Sequence, residues 1–486
     1  MKHSLVCLLA SASIVASGSV DPDLMPIRIC GLGLAGLDEG MQNRLRVKLS
    51  LVGSENDLFP GIPPEQKLFV YETNTVDAIA LEPENSVLFD IPGSQCSWLG
   101  TDSATFWIGG RIPGSSANLV TEVSLDGTLI GRDTIQVRVA PFLVLSNCDV
   151  AEKIFVSNVG GQDWDNFVSE TEAAVQGVVE SMSGNLVPIA FAQDAAEIGW
   201  IGVRHERPAV WSLSSQAFRF LLSEQIGWFN VPECPGMGGN IESTPPTQIH
   251  PHGRIVVGNN LPNVAKGFLR QQQVQTDNGE LIELPVNWLR VGHVDEVMSV
   301  LPTANGSFAI AVADLALGIS LLSSEEIEVN ALYQDTGDES LGEYLQTIRQ
   351  TLSGYQLDSN QAKIENIQNH LSEIRSILQT ELGVSQAQIL SFPVLFSIPS
   401  TDEGLGSLCH ASFPNSVNCV PLINENGIRR ILIPHPLFDS FQDSIAQKLT
   451  SLGYSETEIR FILTEGPHSA MGELHCASAV LRKRIQ

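Results

Sequence analysis

Basic residues are scarce in this sequence: 27 lysine and arginine residues stand against 55 aspartate and glutamate residues, which gives a formal net charge of −28. Because phosphate contacts need a basic face, this balance argues against nucleic acid as a partner. No CxxC pair is present, which argues against a zinc–thiolate site. No apolar run is long enough to span a bilayer as a helix, so no membrane span is expected.

The composition is that of a globular protein. Hydrophobic residues make up 43% of the 486 residues and charged residues 17%, and this length is enough for two or three domains. Residues 1–18 have the pattern of a signal peptide, because Lys2 and His3 precede an apolar run over residues 5–15 and small residues follow it. We therefore expect a secreted protein.

The cysteine count bears on the same expectation. Cleavage after residue 18 would remove Cys7, one of eight cysteines, and leave an odd number. At least one thiol would then be free or paired with another chain. One hypothesis makes Cys476 the free thiol. The cysteines that would pair are Cys30, Cys96, Cys148, Cys234, Cys409 and Cys419.

Residues 20–141 and 142–486 differ in pattern. In the first part, β-type runs between turn residues predict an antiparallel β-sandwich. These runs cover 44–52, 67–71, 104–108, 119–125 and 133–139. In the second part, short buried-strand candidates alternate with helical stretches, which predicts α/β architecture without an evident sequence repeat. The strand candidates are 191–200, 253–258, 308–312 and 431–434, and the longest helical stretch runs from about 341 to 382.

Two groups of residues could carry chemistry at a sulfur atom. Cys476, in Gly472-Glu473-Leu474-His475-Cys476, could be a nucleophile, a disulfide partner or an inert core residue. His293 and Asp295 are two positions apart, so in a strand their side chains would share one face. Such a pair could act as a general acid/base and an anchor for a cation, and the alternative is the polar end of an exposed strand.

Two acidic clusters could bind a metal ion. Gln193, Asp194 and Glu197 lie within five residues, and Gly238-Gly239-Asn240-Ile241-Glu242 adds a carboxylate in a glycine-rich turn. Hard oxygen ligands of this kind suit calcium. Considered alone, each cluster is more often a solvated loop.

Together these segments resemble the catalytic domain of the protein-arginine deiminases, a family of the guanidine-modifying pentein superfamily. The resemblance covers about residues 141–486, and its most specific part is His293-Val294-Asp295-Glu296 combined with Glu473-Leu474-His475-Cys476. It implies a propeller of ββαβ modules at 142–486, preceded by an immunoglobulin-like β-sandwich at 20–141. If residues 1–18 are not cleaved, it implies a cytoplasmic location, as in animal members of the family. The other matching segments are Gln193-Asp194-x-x-Glu197, Gly239-Asn240-Ile241-Glu242, His252-Gly253-Arg254-Ile255 and Phe413-Pro414-Asn415-Ser416-Val417-Asn418.

The resemblance also implies a reaction: calcium-dependent hydrolysis of peptidyl arginine to peptidyl citrulline and ammonia. Asp194 and Asp295 would hold the guanidinium, Cys476 would attack its carbon, and His293 would transfer protons. The partners would be arginine-containing proteins or peptides, and no oligomeric state is indicated. The implied calcium ligands are Gln193, Glu197, Gly238, Ile241 and Glu242.

The sequence also departs from the family. Ala195 stands where family members have an acidic residue, so a second calcium site near the cleft is not expected. Ser469-Ala470-Met471 replaces the family's arginine for the substrate peptide, so a deiminase of free arginine or of a small guanidine compound is the first alternative. A secreted calcium-binding pseudoenzyme or interaction protein is the second, although all four catalytic positions are present. A Cys–His protease would give no reason for two carboxylates near the thiol.

Overall fold

The computed structural model describes residues 142–182, 191–201, 237–271, 274–323, 353–398 and 408–483, together with backbone strands elsewhere. The chain divides into two compact units. The first comprises Met1–Phe142, Ile201–Ala209 and Leu221–Phe229, and the second comprises Leu143–Trp200, Val210–Phe220 and Asn230–Gln486. None of the helices in the described ranges is both long and apolar enough to cross a membrane. The predicted signal peptide lies outside the described residues.

The strands of the N-terminal part form two four-stranded sheets. They are β1 (Met25–Cys30), β2 (Leu45–Val52), β3 (Phe69–Glu72), β4 (Ala78–Ala80), β5 (Val87–Asp90), β6 (Ser103–Ile108), β7 (Ser116–Leu125) and β8 (Thr128–Arg138). The sheets have the orders β1-β6-β3-β4 and β5-β2-β7-β8, with antiparallel neighbours. The five predicted runs coincide with β2, β3, β6, β7 and β8. An immunoglobulin-like domain stays a prediction.

The catalytic part predicted at 142–486 alternates strands with helices. Its strands are β9 (Phe142–Val144), β10 (Val150–Val156), β11 (Glu180–Met182), β12 (Ala196–Ile201), β13 (Arg207–Ser212), β14 (Gly227–Asn230), β15 (Ile241–Ser243), β16 (Ile255–Gly258), β17 (Ile282–Leu284), β18 (Met298–Pro302), β19 (Phe308–Asp314), β20 (Ile389–Pro393), β21 (Val420–Ile423), β22 (Arg429–Pro434), β23 (Ile459–Ile462) and β24 (Ser478–Lys483). Its helices are α1 (Gln162–Val175), α2 (Ala192–Ala195), α3 (Asn263–Gln271), α4 (Leu315–Ser323), α5 (Gln361–Leu382), α6 (Asp439–Ser451) and α7 (Glu465–Ser469).

Three consecutive modules share one ββαβ topology. In each, two antiparallel strands are followed by a helical crossover to a third strand, which lies parallel to the second. The modules are β15-β16-α3-β17, β18-β19-α4-α5-β20 and β21-β22-α6-β23. The repeat is one of topology, so it left no repeat in the sequence.

A fourth sheet repeats this pairing with strands from both ends of the catalytic part. β10 is parallel to β11 across α1 and antiparallel to β24, the last strand of the chain, with Val156 opposite Ser478. The residues just before β24, which include Cys476, are thereby fixed against the start of the catalytic part. A further sheet has the order β14-β13-β12-β9.

The core lies between the strands and the crossover helices. β19 is buried along nearly its whole length, as expected for a strand covered on both faces. The predicted apolar stripe of α5 is confirmed, because its buried residues include Ile364, Leu371 and Leu378. The helix ends at Gly383, which has φ +63° and so adopts the left-handed conformation common at helix C-termini. Residues 324–352, where the prediction began this helix, lie outside the described residues.

Candidate active site

Asp194 lies in α2, a single turn that leads directly into β12. A strand was predicted over 191–200, and the prediction is wrong for its first half. The N–H of Ala192 donates to Oγ of Ser157 at 3.0 Å, and the N–H of Gln193 donates to the carbonyl of Cys476 at 3.1 Å. These bonds, made outside any strand ladder, fix the turn against the segment that carries Cys476.

His293 and Asp295 lie at a 3-10 turn, Val294–Glu296, so the condition under which they would share one face of a strand does not hold. The turn forms because Oε1 of Glu296 accepts the N–H groups of both Gly292 and His293, each at 2.9 Å. Gly292 has φ +80°, a conformation that glycine adopts without strain. Both side chains nevertheless reach the same site.

Cys476 lies between α7 and β24 and is 3% exposed. Its thiol donates a hydrogen bond to Oδ2 of Asp295 at 3.2 Å. The sulfur therefore contacts one of the two predicted guanidinium anchors directly.

Side-chain atoms of Asp194, His293 and Asp295 all lie close to Gly239. A Cβ atom built on Gly239 would lie 2.6 Å from Oδ2 of Asp295, 2.8 Å from Oδ1 of Asp194 and 2.9 Å from Nδ1 of His293. Three side-chain atoms thus converge on one Cα atom, which leaves no room for a larger residue. The structure brings Asp194, His293, Asp295 and Cys476 together.

The pKa values of His293 and Asp194 are both raised. Burial by itself would lower the pKa of His293, but Asp194, Asp295 and Glu296 outweigh burial and raise it to about 9. Burial raises the pKa of Asp194, opposed by His293, whose Nδ1 lies 3.3 Å from Oδ1 of Asp194. The site therefore contains a histidine that holds its proton at neutral pH.

The pKa of the Cys476 thiol is also raised. Burial, followed by the carboxylates of Asp295 and Asp194, raises the pKa of Cys476 well above its usual range. Without a bound cation, the sulfur therefore stays protonated at neutral pH. A guanidinium between the carboxylates would remove the main electrostatic obstacle to a thiolate.

Oδ1 of Asp295 is a buried polar atom that has no hydrogen-bond partner among the described residues. Buried polar groups are almost always paired, so this unpaired acceptor needs an explanation. A planar, polar cation would supply donors for the carboxylate oxygen.

The five predicted calcium ligands lie together around and beside a small cavity. Gln193, Glu197, Ile241 and Glu242 line a cavity of about 20 Å³, which is room for one water-sized occupant. Gly238 lies in the 3-10 turn just before Ile241 and packs against the carbonyl of Gln193. The donors are carboxylate, amide and carbonyl oxygens, the ligands that calcium takes.

The charges around this cavity fit a cation. Burial raises the pKa of Glu197 well above its usual range, and Glu242 adds to the shift. Burial likewise raises the pKa of Glu242 to about 7. Arg482 also lines the cavity, but its guanidinium donates to the carbonyls of Pro421 at 2.7 Å and Asp149 at 3.1 Å. The two carboxylates thus share a guanidinium that is bonded elsewhere, and Glu242 is also paired with His475.

His475 connects this cavity to the sulfur, a contact that the sequence did not predict. Its Nδ1 lies 3.1 Å from Oδ2 of Asp295, and its Nε2 lies 3.4 Å from Oε1 of Glu242. Burial would lower the pKa of His475, but the two carboxylates outweigh it and raise the pKa. The motif around Cys476 contained this histidine, yet only the fold shows which carboxylates it faces.

Asn418 is a second residue that the sequence did not place at the site, although its segment was part of the resemblance. It is 1% exposed, and its Nδ2 lies 3.3 Å from Sγ of Cys476. An asparagine side chain has no titration or motif spacing that would single it out. Only its position beside the sulfur does so.

The predicted pairing of cysteines is wrong for those that the structure describes. Cys148, Cys409 and Cys419 are free thiols, as is Cys476. Burial of the sulfur raises the pKa of each of the first three to about 12, so they are protonated thiols. Cys476 is therefore distinguished by its contacts with carboxylates.

The fold places a cysteine thiol beside two carboxylates and a histidine, and sequence comparison supplies the family. The family profile of protein-arginine deiminase matches residues 129–486. The chain belongs to the protein-arginine deiminase family, whose members are hydrolases acting on C–N bonds.

Individual relatives are similar over most of this chain. It is 27% identical to protein-arginine deiminase type-4 of Mus musculus over 455 residues, which are 83% of this chain and 64% of that protein. It is 27% identical to protein-arginine deiminase type-1 of Mus musculus over 414 residues, 76% of this chain and 58% of that protein. The chain thus spans about three fifths of the length of these curated relatives.

Solved structures of agmatine deiminases also match. The C. jejuni enzyme has a TM-score of 0.39 and 13% identity, and the Enterococcus faecalis enzyme has a TM-score of 0.39 and 12% identity. Each alignment covers 71% of this chain and 97% of the other chain.

Proposed function

We propose that this chain is a calcium-dependent protein-arginine deiminase, which hydrolyses peptidyl arginine to peptidyl citrulline and ammonia. The observation that carries the proposal is the contact between the thiol of Cys476 and Oδ2 of Asp295, beside a second carboxylate and a histidine. A nucleophile flanked by two carboxylates suits a planar cation as the electrophile, because charge-assisted hydrogen bonds can grip its nitrogens.

The first half of the reaction forms a covalent adduct. Asp194 and Asp295 hold the guanidinium so that its central carbon faces the sulfur, which converts an encounter into an aligned attack. The charge of the bound guanidinium offsets the carboxylates that raise the pKa of Cys476. The thiol of Cys476 loses its proton to solvent and Sγ bonds to the carbon. His293 then gives its own proton to the departing nitrogen as the C–N bond breaks and ammonia leaves.

The second half hydrolyses the thiouronium adduct. His293, now neutral, takes a proton from water, and the oxygen bonds to the same carbon. The C–S bond then breaks as the hydroxyl becomes a carbonyl, and the sulfur takes up the hydroxyl proton, which releases citrulline and restores the thiol of Cys476. Neither oxidation nor reduction occurs.

The proposed role for calcium is to organise the site. The ion would be held by the side chains of Gln193, Glu197 and Glu242 and by the carbonyls of Gly238 and Ile241, where its charge would offset the two carboxylates. Gln193 precedes Asp194 and donates its N–H to the carbonyl of Cys476, so ordering this turn would order both catalytic positions.

Citrulline formation tests the proposal. The substrates are an arginine peptide and free arginine, each with calcium and with excess chelator. Wild type should release citrulline from the peptide in calcium, whereas Cys476→Ala should release none. Cys409→Ala, which removes a free buried thiol elsewhere, is the matched control and should remain active. Product from free arginine alone would favour the small-guanidine alternative, and no product from either substrate would favour the pseudoenzyme.

A further inference from the structure

Residues 413–418 bond the two halves of the active site to each other. Nδ2 of Asn415 donates to the carbonyl of Glu296 at 2.7 Å, and the N–H of Asn415 donates to Oε1 of Glu473 at 3.1 Å. One asparagine thereby connects the turn that carries His293 to the segment that carries Cys476. The proposed catalytic roles assign nothing to this segment.

Asn418 makes the same kind of connection at the reacting atoms. Its Oδ1 accepts the N–H groups of His475 at 2.7 Å and of Cys476 at 3.2 Å. Its Nδ2 donates to the carbonyl of Asp295 at 3.2 Å and to Sγ of Cys476 at 3.3 Å. Oδ1 of Asn418 thus fixes the backbone of Cys476, and Nδ2 of the same side chain faces the sulfur.

The orientation of this amide is fixed by its partners. Two backbone N–H groups require an oxygen opposite them, so the NH₂ group must face the sulfur and the carbonyl of Asp295. The charged groups around the sulfur are the carboxylates of Asp194 and Asp295, which oppose a thiolate, and the imidazoles of His293 and His475, which contact those carboxylates. The NH₂ group of Asn418 is therefore a donor to the sulfur where the nearest carboxylates are acceptors.

We propose that Asn418 is a positioning residue, which fixes the backbone of Cys476 and donates a hydrogen bond to its sulfur as the thiolate forms. This inference rests on the proposed function, in which Cys476 is the nucleophile. A hydrogen bond to a charged group stabilises it more than a bond to a neutral group does. Its loss should therefore slow the chemical step more than it weakens substrate binding.

Two substitutions separate the donor from the acceptor. Asn418→Ala removes both, whereas Asn418→Asp keeps an oxygen for the N–H groups of His475 and Cys476 and replaces the donor by an acceptor. Asn424→Ala is the matched control, because Asn424 also donates to a backbone carbonyl and accepts two backbone N–H groups, but in a turn that contacts Val178. Melting temperatures measure the structural cost of each change.

The measurements are the rate at which iodoacetamide alkylates Cys476, followed by mass spectrometry, and kcat and KM on an arginine peptide in calcium. Asn418→Ala should slow alkylation roughly 10- to 100-fold and lower kcat with little change in KM. Asn418→Asp should be at least as slow, although it retains the acceptor. Asn424→Ala should match wild type.

Wild-type alkylation and kcat in Asn418→Ala would overturn the proposal. So would recovery of both in Asn418→Asp, because the acceptor alone would then suffice. A failure of the proposed function gives a different result. If wild type releases no citrulline while the Asn418 variants still slow alkylation, the role of Asn418 at the sulfur is supported and the proposed reaction is rejected.

Discussion

The N–H of Gln193 donates to the carbonyl of Cys476 at 3.1 Å, although the two residues lie on segments far apart in the sequence. Gln193 also lines the cavity that holds Glu197 and Glu242. One peptide hydrogen bond therefore joins a residue that lines the cavity to the backbone of the nucleophile. This relationship connects the proposed metal site to the proposed chemistry.

Calcium should raise the melting temperature of wild type, because an ion that binds only the folded state stabilises it by about 2.7 kcal/mol at 100 times its Kd. Glu197→Gln and Glu242→Gln should each abolish most of this shift, since each removes a charged ligand. Glu458→Gln, which removes a carboxylate paired with Arg429 instead, is the control and should keep the shift. Differential scanning calorimetry with calcium and with chelator measures it, and equal shifts in all four proteins would refute the assigned ligands.

Asp295→Asn should change turnover and thiol reactivity in opposite directions. Loss of a charge-assisted anchor should lower kcat/KM on an arginine peptide by roughly 100-fold. Because Asp295 raises the pKa of Cys476, its neutral replacement should lower that pKa and speed alkylation by iodoacetamide at neutral pH. If both rates fell together, the substitution would have damaged the site as a whole, and the electrostatic role would be rejected.

Gly239→Ala should inactivate the protein. Its Cβ atom would lie 2.6 to 2.9 Å from atoms of Asp295, Asp194 and His293, so these side chains would have to move apart. Overpacking of this kind costs about 1 to 3 kcal/mol of unfolding free energy, measured by urea denaturation. Gly267→Ala is the matched control, because no described atom beyond its chain neighbours and the backbone of its own helix lies within 4 Å of its added methyl group. It should be active and up to about 1 kcal/mol more stable, since alanine favours a helix. An active Gly239→Ala would contradict the convergence of the three side chains.

The pH dependence of kcat/KM should show a basic limb set by His293. Its pKa is raised to about 9. The proton that His293 gives to the departing nitrogen is therefore present below that pH and is lost as the pH rises through about 9. Stability gained from this protonation has the same sign: it is complete below the ordinary pKa of about 6.5 and lost through about 9. Glu296→Gln keeps an oxygen for the N–H groups of Gly292 and His293 but removes a charge, so the limb should move to lower pH. A limb that stays in place would show that Glu296 does not act on His293, and Glu458→Gln should not move it.

Much of the organisation followed from local pattern. β19 is a continuous apolar run, and the stripe in α5 repeats at helical spacing, so burial could be predicted for both. The prediction at 191–200 was wrong for its first half, and His293 and Asp295 lie at a turn and not in a strand. There, hydrogen bonds from distant or capping groups, such as Oε1 of Glu296, decided the backbone conformation.

The sequence by itself determined which chemical groups this protein has: one cysteine in a specific motif, a histidine near an aspartate, and oxygen-rich acidic clusters. Only the tertiary structure decided that Asp194, His293 and Asp295 converge on Gly239, and that Asn418 and His475 lie against Cys476 and Asp295. The physical reason is that a hydrogen bond acts over about 3 Å, whereas local propensity and periodicity describe only neighbours along the chain. The pairing of β10 with β24 and the packing of the modules bring such distant segments within that range.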